Sequence, residues 1–410
     1  EELARREHED HERWWGWTKN VHLSGYLQPQ MLWQWVDTAN ASPNLVNGAL
    51  PPGVGPNDVI ARQDSVFNTA SGTGVPGLTS NGDFFRLRRA RMKIELEANE
   101  WSRFVFEIDP VATGGPDNGT GTIARNVEAQ GVAHWSEDVT TTFGMGIFKI
   151  PFGWEVLQSD ADRPFIERSW WEQNITPGEF DTGAKAYTTA LHDRLTGQVA
   201  LINGQTQGEK TFAILPDLNN GKDVVGRVNY DFGPFDVGAS GYYGQGQLVS
   251  LSSLAFKQFP RYAWNIELGV HHRFLRIGET RLLAEFDRGQ NMDRGTKYNP
   301  AISMPGLPTD VANGTVVSKD EIGYWARIEQ DITHWVTLAV RYDVYSPDTA
   351  QGTTINGRQT EGAVASVHFT RALQLNNEYD HFTDNVHAPG DPIPYRQGNM
   401  LSTVFQVRFP

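Results

Sequence analysis

Residues Arg86 to Glu97 read RLRRARMKIELE, so that Arg86, Arg88, Arg89, Arg91 and Lys93 fall within eight residues before Glu95 and Glu97 close the run. Cationic groups at this density make a path or a binding surface for anions, because each offers charged N–H donors. Catalytic patterns are missing elsewhere. In HEDHE, His8 and His11 stand three apart where a zinc-protease helix needs four, and no G-x-S-x-G turn occurs. DLNNGKD, from Asp217 to Asp223, has the make-up of a calcium loop and equally of an ordinary turn, and is read as a turn. No catalytic residue, cofactor or metal is expected.

What positions the basic run is a strand. At period two, Ala90, Met92, Ile94 and Leu96 share one parity, while Arg89, Arg91, Lys93, Glu95 and Glu97 share the other. A helix would scatter the apolar residues around its circumference. The whole chain agrees with sheet. Its 410 residues carry a net charge of -14, no cysteine, 41 glycines, 13 Trp, 12 Tyr and 21 Phe. The acidic balance argues against nucleic acid as a partner. The absence of cysteine removes disulfides and thiolate metal sites. No apolar run reaches the roughly 18 to 20 residues of a transmembrane helix, whereas barrel strands keep average hydropathy low by alternating.

Alternating segments recur at 20–36, 84–98, 100–109, 122–134, 138–152, 181–192, 194–206 and 221–232. They continue at 234–245, 259–273, 277–290, 319–332, 334–346, 357–371, 373–384 and 399–409. The connections alternate between long segments and tight ones at Asn99, Ser136, Asp193, Gly233-Pro234, Arg276-Ile277 and Asp331 to Thr333. Long loops at one rim, short turns at the other and an even count predict an all-β fold: a transmembrane antiparallel β-barrel of 16 strands with short periplasmic turns and long extracellular loops. Trp101, Trp135, Phe232, Phe235, Phe274, Trp335, Phe369 and Phe409 flank the short turns, as an interfacial girdle would.

Around Asn99, partners on one face must have numbers that sum to an even value. A sum of 198 pairs Glu95 with Arg103 and Arg91 with Glu107; a sum of 200 pairs Lys93 with Glu107 and Arg91 with Asp109. In both, bases meet acids while Phe104, Phe106, Ile108, Met92 and Ile94 face lipid. A charge on the lipid face at mid-depth costs about 2 to 4 kcal/mol, so the charges belong to the lumen. WVTLAVRYDVY turns Leu338, Val340, Tyr342 and Val344 outward with Arg341 and Asp343 inward. RLLAEFD turns Leu282, Ala284 and Phe286 outward with Arg281, Glu285 and Asp287 inward, and VVGRVNYDF offers Arg227 and Asn229 to the inside. A barrel this wide holds water by default. Its charged wall is a selectivity path for ions, or salt bridges that solvate the lumen and fix register.

FFRLRRARMKIE, GIFKIPFGWEVLQSDADRPFIERSWW and GKDVVGRVNYDF resemble the corresponding strands of the phosphate- and polyphosphate-selective porins of Gram-negative outer membranes. In layout the resemblance runs from about residue 20 to the C-terminus. It implies a homotrimer of sixteen-stranded barrels, with an arginine ladder leading small anions to a basic constriction. Arg86, Arg88, Arg89 and Arg91 would belong to the ladder strand, Lys149 would enter the lumen from the FK-x-PFG strand, and Glu167 and Arg168 would lie in a constriction loop at 153–180. Ile147 departs from the family, where glutamine is common, and Pro410 follows the terminal aromatic Phe409.

The expected pore-lining set is Arg86, Arg88, Arg89, Arg91, Lys93, Arg103, Lys149, Arg168, Lys185, Arg227 and Arg341. The expected function is passive diffusion of small hydrophilic solutes across the Gram-negative outer membrane, anions such as phosphate favoured, with Lys149 and Arg91 carrying much of the preference. The alternative is a structural or sheath barrel whose lumen is occupied by or docked to a partner protein. An enzyme would need a catalytic pair at the outer rim, which the sequence does not show. Residues 1–19 are expected to form a polar periplasmic segment outside the pore, and 20–410 the barrel in outer-membrane lipid. The chain opens without a charged and apolar leader, as a mature or trimmed chain would.

Overall fold

A computed structural model describes residues 20–37, 82–113, 120–176, 179–206, 221–250, 255–275, 277–292, 318–349, 357–384 and 396–409. The expected N-terminal segment 1–19, and Asp217 to Asn220 of the calcium-like turn, lie outside them. Sixteen antiparallel strands close into one barrel. They are β1 (Val21–Asp37), β2 (Gly82–Asn99), β3 (Ser102–Thr113), β4 (Thr120–Ser136), β5 (Val139–Lys149), β6 (Phe180–Ala190), β7 (Leu195–Ile202) and β8 (Asp223–Asp231). The rest are β9 (Phe235–Ser250), β10 (Ala255–Leu275), β11 (Gly278–Gln290), β12 (Asp320–Asp331), β13 (Val336–Ser346), β14 (Arg358–His368), β15 (Leu373–Asp384) and β16 (Arg396–Phe409). Closure is made by β1 on β16, from Gly25 opposite Phe409 to Asp37 opposite Gln397.

Each expected segment is one of these strands, with several differences of extent: β7 and β14 end at Ile202 and His368 rather than at 206 and 371, and β16 starts at Arg396 rather than at 399. The strand expected at 138–152 stops at Lys149. Pro151 cannot donate to a ladder and disfavours continuation, so the chain turns inward there. The hairpin expected to turn at Asp193 alone is wider, with Leu191, His192 and Asp193 all left-handed at φ 56°, 58° and 63°. β9 and β10 run longer than 234–245 and 259–273. At Asn99 the side chain makes its own turn, its Oδ1 accepting from the Trp101 N–H at 2.9 Å and the Ser102 hydroxyl at 3.0 Å.

The β2–β3 hairpin takes the register that sums to 200, with Lys93 opposite Glu107 and Met92 opposite Ile108. Strict alternation along β2 would send Arg86 and Arg88 to the lipid face of Ala90 and Met92. A bulge prevents this. Gln28 pairs with Arg89 but Pro29 pairs with Leu87, so Arg88 is an extra residue and parity flips beyond it. Proline has no N–H for the ladder, which is where sheets tolerate an irregularity. Beyond the bulge, Leu87 and Phe85 face out (38% and 78% exposed), while Arg86 donates to lumen-facing Gln30 at 2.5 Å. β4 repeats the device: Glu107 pairs with Asn126 and Ile108 with Ala124, leaving Arg125 extra.

The two faces otherwise follow the sequence. On β13, Leu338, Val340 and Tyr342 are exposed and Arg341 and Asp343 buried, although Val344, on the outward parity, is covered. Trp101, Trp135, Phe232, Phe235, Trp335, Phe369 and Phe409 are exposed beside the short turns, as a girdle requires. The Phe274 side chain lies outside the described residues. Val340→Arg should lower barrel stability by about 2 to 4 kcal/mol in denaturant unfolding from lipid vesicles. An unchanged midpoint and slope would contradict a lipid-facing Val340.

Candidate functional site

Between β5 and β6 the chain leaves the wall and crosses the lumen, carrying two short helices, α1 (Trp154–Leu157) and α2 (Trp170–Ile175). Gly153 makes the sharp entry at φ 70°, and a Cβ there would stand 3.1 Å from Glu172 and 3.2 Å from Asn265. Phe148, Ile150, Phe152, Trp170, Trp171 and Ile175 bury their apolar surface in one cluster with Leu32, Ile202, Met292 and Tyr345 of the barrel. The segment is thus packed inside the barrel by its own aromatics.

Its backbone is held by the far wall. The Trp154 and Glu155 amides of α1 donate to Glu285 on β11, Ile166 N–H donates to Glu378 on β15 at 2.6 Å, and Trp170 N–H donates to Asp343 on β13 at 3.3 Å. The Trp170 indole donates to Thr360 at 2.8 Å, and Arg341 donates to the Glu167 carbonyl at 2.7 Å.

The near wall meets the loop through charge. Asp160 is fully covered and sits among four guanidinium groups: Arg91 and Arg163 in close contact, Arg168 at 2.9 Å and Arg89 at 3.3 Å. Glu167 accepts from both Nε and Nη2 of Arg88, at 2.5 and 2.6 Å, with Arg89 at 3.6 Å and Arg86 at 3.7 Å. Glu179 contacts Arg168, and lies 3.6 Å from both Lys149 and Arg125. Burial works to raise the Asp160 and Glu167 carboxyls, but the arginines outweigh it: Arg168, Arg89, Arg91 and Arg163 hold Asp160 down, and Arg88, Arg89 and Arg86 hold Glu167 down. At Glu172 Arg168 pulls the same way but is outweighed. Burial pushes this carboxyl up to about 8, against a 2.7 Å hydrogen bond from Thr176.

Of the expected residues, Arg86, Arg88, Arg89, Arg91, Lys149, Arg168 and Arg341 are brought to this loop. Lys185 and Arg227 are not; they pair with Glu128 at 3.0 Å and Glu267 at 2.9 Å on the barrel wall. Lys93 and Arg103 are also apart, nearer the short-turn rim, paired with Glu95 at 2.8 Å and Glu97 at 2.9 Å. Sequence reasoning missed Arg125, Arg163 and Asp160. Arg125 occupies a bulge that strict alternation hides; Asp160 and Arg163 lie inside DADR of the loop, where an acid–base spacing of three was the available signal. At the outer end of the ladder Arg86 and Arg88 keep 24% and 16% of their side chains exposed, so that charged N–H donors are open there. Among the described residues no group of three or more His, Asp or Glu side chains is arranged to hold a metal ion.

The profile of the family described as phosphate-selective porin O and P matches residues 68–222, which span the ladder, the loop and β6 and β7. The family resemblance found in the sequence is thus matched by the family's own pattern. Similar solved structures include the outer membrane channel DcaP of Acinetobacter baumannii, 10% identical with a TM-score of 0.54 over 95% of this chain and 97% of that one. OmpT of Vibrio cholerae in its trimer form is 9% identical with a TM-score of 0.53 over 95% and 99%. Salmonella typhi OmpF, in complex with daunomycin, is 11% identical with a TM-score of 0.52 over 95% and 97%. No curated protein matches the chain. The fold is that of Gram-negative outer-membrane porin barrels, and the chain is an outer-membrane barrel with a transmembrane lumen.

Asp160→Asn leaves four buried guanidinium groups facing a neutral amide, a class of change that costs about 3 to 5 kcal/mol. The loop should loosen, and trypsin should cut after Arg168 in the variant while sparing the wild type under the same conditions. Equal resistance of the two proteins would show that Asp160 does not hold the loop.

Proposed function

We propose that the protein is a passive diffusion channel of the outer membrane for small hydrophilic solutes, favouring anions such as phosphate and working as a homotrimer. The observation that carries this reading is the arginine row of β2, turned into the lumen by the bulge at Arg88 and set against the inward loop. At its outer end three guanidinium groups, Arg86, Arg88 and Arg89, surround the single carboxylate of Glu167, so a positive excess faces the entering solute. Deeper down, Arg91 is covered and shared among Asp160, Asp109 and Glu107, and Lys149 is tied to Glu179 and the Gln158 carbonyl. The larger share of the preference expected of Lys149 and Arg91 is therefore assigned to Arg86 and Arg88. The net charge of -14 acts weakly here, since exposed carboxylates are screened beyond about 8 to 10 Å at physiological salt. A lumen filled by a partner protein gains no support, because the chain's own loop crosses it. The trimer reading is supported by the family resemblance and by the trimer form of the similar Vibrio cholerae barrel.

In planar bilayers under a salt gradient, the wild-type zero-current potential should have the sign of chloride over potassium preference, and Arg86→Glu should move it toward cations. A wild-type preference for potassium would sink the anion reading. In mild detergent the mass of the purified protein should be that of three chains; a monomer at every concentration would remove the trimer.

A further inference from the structure

Glu167 occupies the one place on the ladder where an incoming anion would be best held. The guanidinium edge of Arg88 makes two parallel hydrogen bonds to its carboxylate, at 2.5 and 2.6 Å, the fork by which arginine recognises carboxylates and phosphates. Arg89 and Arg86 close around the same oxygens at 3.6 and 3.7 Å. Among the described residues of the loop, none makes a hydrogen bond or ion pair to this side chain. The backbone of the segment is already fixed by the Ile166 N–H on Glu378, by Arg89 on the Ile166 carbonyl and by Arg341 on the Glu167 carbonyl. The other loop carboxylate on the ladder, Asp160, is sealed from solvent, whereas the Glu167 side chain keeps 10% of its surface exposed beside the two most open ladder arginines.

We infer that Arg86, Arg88 and Arg89 form an oxyanion-binding fork which the chain's own Glu167 occupies in the resting channel, so that a solute carboxylate or phosphate binds by displacing a tethered competitor. This rests on the anion-channel reading and deepens it. A free oxyanion presents the same two coplanar oxygens to Arg88 that Glu167 does, and the released Glu167 side chain can swing toward the open lumen because its backbone is held independently. Glu167 is then a specificity-determining residue: it sets the concentration at which a small oxyanion is retained, and lets halide, which cannot take a two-toothed fork, pass without holding it.

The test is the block of chloride current by inorganic phosphate and by acetate, read as the half-blocking concentration in bilayers. Glu167→Gln keeps the shape of the side chain and removes the competing charge, and Glu167→Ala removes the side chain, so the two variants together guard against a folding artefact. Both should lower the half-blocking concentration about tenfold, within what charged hydrogen bonds contribute. Adding Arg88→Gln to either should abolish the gain. Asp162→Asn, which removes the same charge from the same loop at an exposed site paired with Arg408, should leave it unchanged. A fall for only one of the two probes narrows the ligand to that oxyanion. Half-blocking concentrations that stay at or above wild type in both Glu167 variants, or a gain that survives loss of Arg88, overturn the inference. A potassium-preferring wild type would remove the anion reading instead, which the zero-current potential reports separately.

Discussion

Asp160 stands at the junction on which the lumen depends. A carboxylate with no exposed side-chain surface is tolerated only if it is paired, and here two partners come from the wall, Arg89 and Arg91, and two from the loop itself, Arg163 and Arg168. The loop can therefore settle only where the ladder's guanidinium groups reach it. Their reach is set in turn by β2, and the inward direction of its outer half by one extra residue at Arg88 opposite Pro29. From plain alternation follow the inward Arg89 and Arg91 and with them the seat of Asp160, from the bulge the inward turn of Arg86 beside Arg88, and from both the course of the loop across the barrel.

Much of this was legible in the sequence because a lipid-facing strand must alternate. The sixteen strands, the short-turn rim with its aromatics and the departure of the loop after the FK-x-PFG strand all follow from that rule or from the family resemblance. The bulges were not legible, since an extra residue disguises itself as a break in parity. At β2 the clue was Pro29 in the neighbouring strand; at Arg125 the opposite pair, Glu107 and Ile108, carries no such mark. The ion pairs between loop and wall were equally hidden, because they join residues far apart in sequence, such as Asp162 and Arg408. Register within a hairpin narrows to two choices by parity, but no local rule says which wall residue a crossing loop will meet.

The same geometry explains why a lumen lined by a row of arginines can be so rich in carboxylates. A loop crossing the inside of a barrel carries backbone N–H groups into a place where strands cannot satisfy them, and a buried N–H without a partner is costly. Glu285, Glu378 and Asp343 answer that need for Trp154, Glu155, Ile166 and Trp170. Glu285 also meets the N-terminus of α1, where exposed amides favour a negative charge. These acids are spent on holding the loop from the far side, while Asp160 and Glu179 hold it from the near side. Formal charge counted along the chain therefore misjudges what a solute meets, and the groups that face it are those the loop leaves partly open. At the outer end of the ladder these are Arg86 and Arg88, in a ratio to Glu167 that no composition records.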